Sequence, residues 1–156
     1  MKVNQLLAML VASACLFAAC EKTAPEEVLP EKTGYSGTLS VVELGDELFQ
    51  LEDILTDYTL DAVSGRLDIY MYDVSFSSRM PITINVLVLP DVAYEKNGTT
   101  LAVSDTDIVP LMEMGGEMIP YDRYVCTDFT GTITPSAMTL SMKLGGFRTD
   151  YSGRAL

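Results

Sequence analysis

The chain has 156 residues and a net charge of −12 from 10 basic and 22 acidic side chains, with no histidine and no tryptophan. A surface this acidic repels phosphate backbones, which sets nucleic acid aside as a partner. The missing histidine removes the commonest general base, triad member and metal ligand, and 48% hydrophobic residues is more than a disordered chain carries.

In chain order, Lys2 is the only charge before Glu21, and residues 6–19 are almost wholly apolar. A spanning helix needs roughly 20 apolar residues. This run is shorter and opens onto Glu21-Lys22-Thr23-Ala24-Pro25-Glu26-Glu27, so residues 1–19 read as a signal peptide. Leu16-Phe17-Ala18-Ala19-Cys20 resembles a lipobox, with small residues just before the cysteine. Cleavage before Cys15, which would shorten the apolar run to residues 6–11, and ordinary signal-peptidase cleavage are the alternatives. Acylation at Cys20 is expected to hold the protein on a lipid bilayer without crossing it. Glu21, rather than Asp, after Cys20 points by lipoprotein sorting to an outer-membrane anchor. Losing residues 1–19 removes Lys2 alone and leaves nine basic against 22 acidic residues, a net charge of −13. With Cys15 cleaved away and Cys20 lipidated, Cys126 is the one remaining thiol and no internal disulfide can form. Residues 20–33, with Pro25 and Pro30 and no apolar period, read as an acidic tether.

From residue 34 to 156 the texture is that of short β runs between turn residues, the pattern of one antiparallel all-β domain. Tyr35 to Leu44 is the first run. Residues 46–62 are ambiguous, because Leu48, Leu51 and Leu55 are spaced like a helix face while Tyr58-Thr59-Leu60 favours strand; a bulged or broken strand is preferred over a short helix. In Arg66 to Phe76 the alternation places Leu67, Ile69 and Met71 on one face and Tyr70, Tyr72, Val74 and Phe76 on the other, which predicts a strand covered on both sides. Ile82 to Tyr94 follows, and Lys96-Asn97-Gly98-Thr99 signals a type I′ hairpin back through Thr99 to Val103. Tyr124 to Thr134 and Ala137 to Leu144 form a second hairpin through Pro135-Ser136, with Met138, Leu140, Met142 and Leu144 inward. Arg148 to Leu156 is the closing strand. Seven to nine strands fit, and about eight is the size at which a sheet closes into a barrel with a filled interior or one small ligand site.

Tyr35-Ser36-Gly37-Thr38-Leu39, Asp73-Val74-Ser75-Phe76 with Met80-Pro81-Ile82, Val88-Leu89-Pro90-Asp91-Val92, and Thr130-Gly131-Thr132-Ile133 before the Met138 strand together resemble the calycin-like, lipocalin-related β-barrel lipoproteins of Gram-negative bacteria. The resemblance covers Tyr35 to the end of the chain. It implies an antiparallel up-and-down β-barrel of about eight strands whose interior takes a small apolar or amphipathic molecule without catalysis. Met71, Met138, Leu140, Met142, Met112 and Met114 are then the expected lining, with Asp105, Asp107, Glu113 and Glu117 at the rim. The alternative is an accessory lipoprotein that contacts another envelope protein through its barrel surface and holds no ligand.

No cofactor or metal is expected. Cys126 has no histidine to make it a thiolate and reads as a buried strand thiol. Glu113, Glu117 and Asp122 could share a rim, but nothing fixes the separation a glycosidase pair needs. Ser104-Asp105-Thr106-Asp107 could offer two oxygens to Ca²⁺, yet Val109 and Pro110 stand where further EF-hand features belong, and an Asx-rich turn suffices. Met112, Met114 and Met118 would suit Cu(I) if they shared a face, against the plainer reading of core gap-fillers. Asn97-Gly98-Thr99 matches a glycosylation sequon that its turn role explains.

Overall fold

The computed structural model describes residues 34–156; the expected signal peptide, the expected lipidation at Cys20 and the expected tether fall outside the described residues. Ten strands run in order: β1 (Tyr35–Val42), β2 (Leu48–Asp61), β3 (Arg66–Val74), β4 (Ile84–Asn97), β5 (Thr100–Asp105), β6 (Leu111–Met114), β7 (Glu117–Pro120), β8 (Cys126–Ile133), β9 (Ala137–Leu144) and β10 (Phe147–Ala155). Eight of them, β1-β2-β3-β4-β5-β8-β9-β10, pair antiparallel in turn, and β10 returns to β1 with Leu39 opposite Tyr151. The result is a closed up-and-down barrel. The β6–β7 hairpin is an insertion between β5 and β8, attached to β4 where Leu87 faces Met112 and Val88 faces Leu111.

Closure demands bends, and aspartates supply them. Asp53 (φ 57°), Asp91 (φ 56°) and Asp128 (φ 52°) lie in the left-handed region, each where the pairing slips by one residue: β2 against β1, β4 against β3, and β8 against β9. Aspartate tolerates that backbone better than residues with bulky side chains, because its short polar chain bonds locally. Each site reads apolar-x-Asp-apolar: Leu51-Glu52-Asp53-Ile54, Leu89-Pro90-Asp91-Val92, Cys126-Thr127-Asp128-Phe129. The extra residue carries apolar side chains three apart onto one face, where a regular strand would need two. Residues 46–62 accordingly contain one long bulged strand, as preferred.

The same device corrects the reading of β3. Asp73 has φ 53°, so Val74 and Phe76 join Leu67, Ile69 and Met71 in the core, while Tyr70 and Tyr72 are left partly exposed on the outer face. The strand is not buried on both sides. The β4–β5 turn also shifts by one position. Asn97 pairs with Thr100 and Gly98 alone takes positive φ (62°), which is a II′-type arrangement rather than I′.

Two glycines are fixed by closeness of approach. A Cβ on Gly37 would lie 2.1 Å from the carbonyl oxygen of Ser152 on β10, and one on Gly131 would lie 2.5 Å from that of Thr139 on β9. Both sit in segments that carry the barrel resemblance.

Candidate functional site: the barrel interior and its two ends

The inward side chains of all eight barrel strands meet in one apolar cluster that includes Leu39, Ile54, Ile69, Met71, Leu87, Phe129, Met138, Leu140, Met142 and Tyr151. Of the six expected lining residues, Met71, Met138, Leu140, Met142 and Met112 belong to this cluster and are buried. Met114 is 51% exposed. Five of the six are therefore brought together, but packed against one another, as an eight-stranded barrel allows. Among the described residues, open depressions of about 200, 80 and 360 Å³ lie on the surface, and none of these is lined by Met71, Met138, Leu140 or Met142.

Two interior hydroxyls are anchored to the backbone: Tyr35 donates to the carbonyl of Thr134 at 2.7 Å and Tyr151 to that of Ile54 at 3.2 Å. Thr56, opposite Met71 and on the same inner face, is different. Its Oγ1 is buried beside the Tyr151 hydroxyl, yet makes no well-formed hydrogen bond among the described residues. No feature of the sequence marks it, because threonine is an ordinary strand residue.

The expected rim acids form no metal-type cluster among the described residues. Asp105 is engaged within the barrel: its Oδ2 accepts from Arg66 Nη1 at 2.9 Å and the Ala93 amide at 3.0 Å, and its Oδ1 accepts from the Thr106 amide at 2.8 Å. Burial pushes this carboxyl up, but those donors outweigh burial and hold it below its ordinary range. It ties β5 to β3 and β4, with three of its roughly four acceptor sites taken by the protein itself. Among the described residues no group of three or more His, Cys, Asp or Glu could hold a metal. The thioethers part as well. In the β6–β7 hairpin Met118 faces Glu113 while Met112 faces Ile119 and Met114 faces Glu117, so Met118 lies on the opposite face from the other two.

Cys126 is fully buried, and burial, with the nearby Asp105 charge, pushes its thiol to about 12. At neutral pH it is a protonated core side chain, not a nucleophile.

The two ends of the barrel differ. At one end lie Gly34, the turns 62–65, 98–99 and 134–136, and Leu156, whose amide donates to the Gly34 carbonyl at 3.0 Å. At the other lie the connections 43–47, 75–83, 106–125 and 145–146, where the Ser78 amide donates to Glu43 Oε1 at 2.6 Å. This second end carries Glu43, Asp46, Glu47, Asp107, Glu113, Glu117 and Asp122 against only Arg79 and Arg123. It also holds Leu44, Leu48, Ile82, Met114 and Met118, all exposed. Leu44 and Ile82 stand in turn segments, where sequence periodicity gives no guide to burial. No family model, curated protein or solved structure matches this chain.

Proposed function

We propose that this protein is a calycin-like, non-catalytic cell-envelope lipoprotein, held on the outer membrane through acylated Cys20, that works by contacting another envelope protein through the outside of its barrel. The observation that carries this reading is the packing of the would-be lining residues, Met71, Met138, Leu140 and Met142, into one core cluster, which leaves the outside to do the binding. The end remote from Gly34 is the better contact surface, since it combines exposed Leu44, Leu48, Ile82, Met114 and Met118 with a strong negative charge. Methionine suits such a surface because its flexible thioether adapts to a partner.

A photo-crosslinking residue placed at Leu44 or Met114 in the full-length protein should trap a discrete protein partner in living cells. The same residue at Thr139, on the outer wall, should not. Equal labelling at all three positions, or none, would count against the contact reading.

A second reading has a specific support. The interior holds three flexible methionines and, side by side, the Thr56 and Tyr151 hydroxyls, the first without a well-formed hydrogen bond among the described residues, so a small amphipathic molecule that displaced the methionines would find polar groups to meet. Organic extraction of the purified protein, with mass spectrometry of the extract, separates the two.

A further inference from the structure

We infer that the Gly34 end of the barrel rests against a phospholipid surface, with the turn at Val63 as its contact point. The inference rests on the proposed anchoring at Cys20. The 14 positions from Cys20 to Gly34 reach at most about 50 Å when extended, and they enter the barrel at this end.

That tether allows other orientations, and the surface chemistry decides among them. The three turns here, Ala62-Val63-Ser64-Gly65, Gly98-Thr99 and Thr134-Pro135-Ser136, contain no charged residue, in a chain with 32 charged residues in 156. The carboxylate that directly borders them, Asp61, is turned onto the amides of Val63 and Ser64, at 2.9 and 3.3 Å. Val63 at the tip of its turn is 99% exposed and Leu60 beside it 48%, so an apolar point projects from turns whose one bordering carboxylate, Asp61, is bound to the turn's own amides. Lys96 and Arg154 flank the other two turns, and neither forms an ion pair among the described residues. Free cations beside an apolar tip match the phosphates and acyl boundary of a bilayer. The connections of the opposite end hold seven carboxylates against two guanidinium groups, and the cations flanking its 145–146 turn, Lys143 and Arg148, are ion-paired with Asp128 and Asp150; that end is repelled by anionic head groups and would point away, toward a protein partner.

Because the chain has no tryptophan, one introduced indole reports without background. The variants V63W and L44W place it at the two ends, each replacing an exposed side chain. The chain from Cys20 onward is coupled at that cysteine to a maleimide lipid, the buried Cys126 being inaccessible, and incorporated in phosphatidylethanolamine–phosphatidylglycerol vesicles with brominated acyl chains. V63W should shift to the blue and be quenched severalfold more than L44W, and the charge reversals K96E and R154E together should reduce that quenching. Unquenched, water-like emission from V63W, or equal quenching at both ends, overturns the inference. Quenching unchanged by the reversals overturns the part assigned to the two cations. Since the lipid is attached chemically, this outcome is independent of whether the cell acylates Cys20, which intact mass of the membrane-extracted protein tests separately.

Discussion

At Thr56 a hydroxyl is buried 1% exposed, beside the Tyr151 hydroxyl but without a well-formed hydrogen bond among the described residues. A buried hydroxyl left without a good bond costs roughly 1–3 kcal/mol of lost hydration, so Thr56→Val should raise the unfolding free energy from urea melts by about 1 kcal/mol after imperfect packing. A loss of stability instead would mean that the hydroxyl has a partner in solution. The left-handed aspartates make a second test at this scale. Asp53→Gly should leave stability near the wild-type value, whereas Asp53→Val, which meets the left-handed backbone with a β-branched side chain, should cost about 1–2 kcal/mol; equal effects would show that the bulge relaxes. Buried acids govern the alkaline limit. Cys126 is raised from 9.0 to about 12, by burial first and then by Asp105, and Tyr35 from 10.0 to about 12, by burial first and then by Tyr58. Both hold their protons more tightly folded than unfolded, so their contribution is intact below pH 9.0 and is lost as pH rises toward about 12. Cys126→Ala should move the onset of that decline from near 9.0 to near 10.0, read from thermal midpoints across the range.

At the scale of strands, a packed interior makes truncation expensive. Leu140→Ala on β9 should cost about 2–5 kcal/mol, since it removes a buried side chain and leaves a hole, whereas exposed Met114→Ala should stay within about 0.5 kcal/mol. A Leu140→Ala cost below about 1 kcal/mol would indicate that Leu140 borders open space. β9 was also the most legible element in the sequence. Met138, Leu140, Met142 and Leu144 alternate without a bulge, and all four are buried as expected. Legibility fell wherever an aspartate turned the backbone. A period of two put Val74 and Phe76 on the wrong face of β3, because Asp73 flips the chain between Met71 and Val74. The recurring apolar-x-Asp-apolar pattern was present to be read, yet one aspartate in a strand looks like any other polar residue until partner strands fix the register. The Met112 to Met118 run misled for a related reason. Its Gly115-Gly116 turn sets Met118 opposite Glu113, and turn geometry, not spacing, decides which face a returning strand presents.

For the whole molecule, the resemblance pointed to an interior site, whereas the burial of the inward residues in one cluster is what supports the exterior contact proposed above. The sequence could not decide between them, because the same inward Leu, Ile, Val and Met residues suit a lined cavity and a filled core alike. What separates the two is how far opposite walls approach, a property of barrel closure that no local pattern encodes. Gly37 and Gly131 mark a different closeness, that of neighbouring paired strands, each with a backbone carbonyl of the next strand where a Cβ would stand. The polarity of the ends is likewise a property of the assembled fold. Seven acidic residues scattered over segments 43–47 and 106–125 gather at one end only when the strands pair. The most direct test of a filled barrel is titration of an apolar fluorescent probe into the purified full-length protein, alongside Met142→Gln and with mass spectrometry of an organic extract. A filled barrel gives no saturable probe binding and no stoichiometric small molecule in the extract; saturable binding abolished by Met142→Gln, or a co-purified hydrophobe at one per chain, would contradict it.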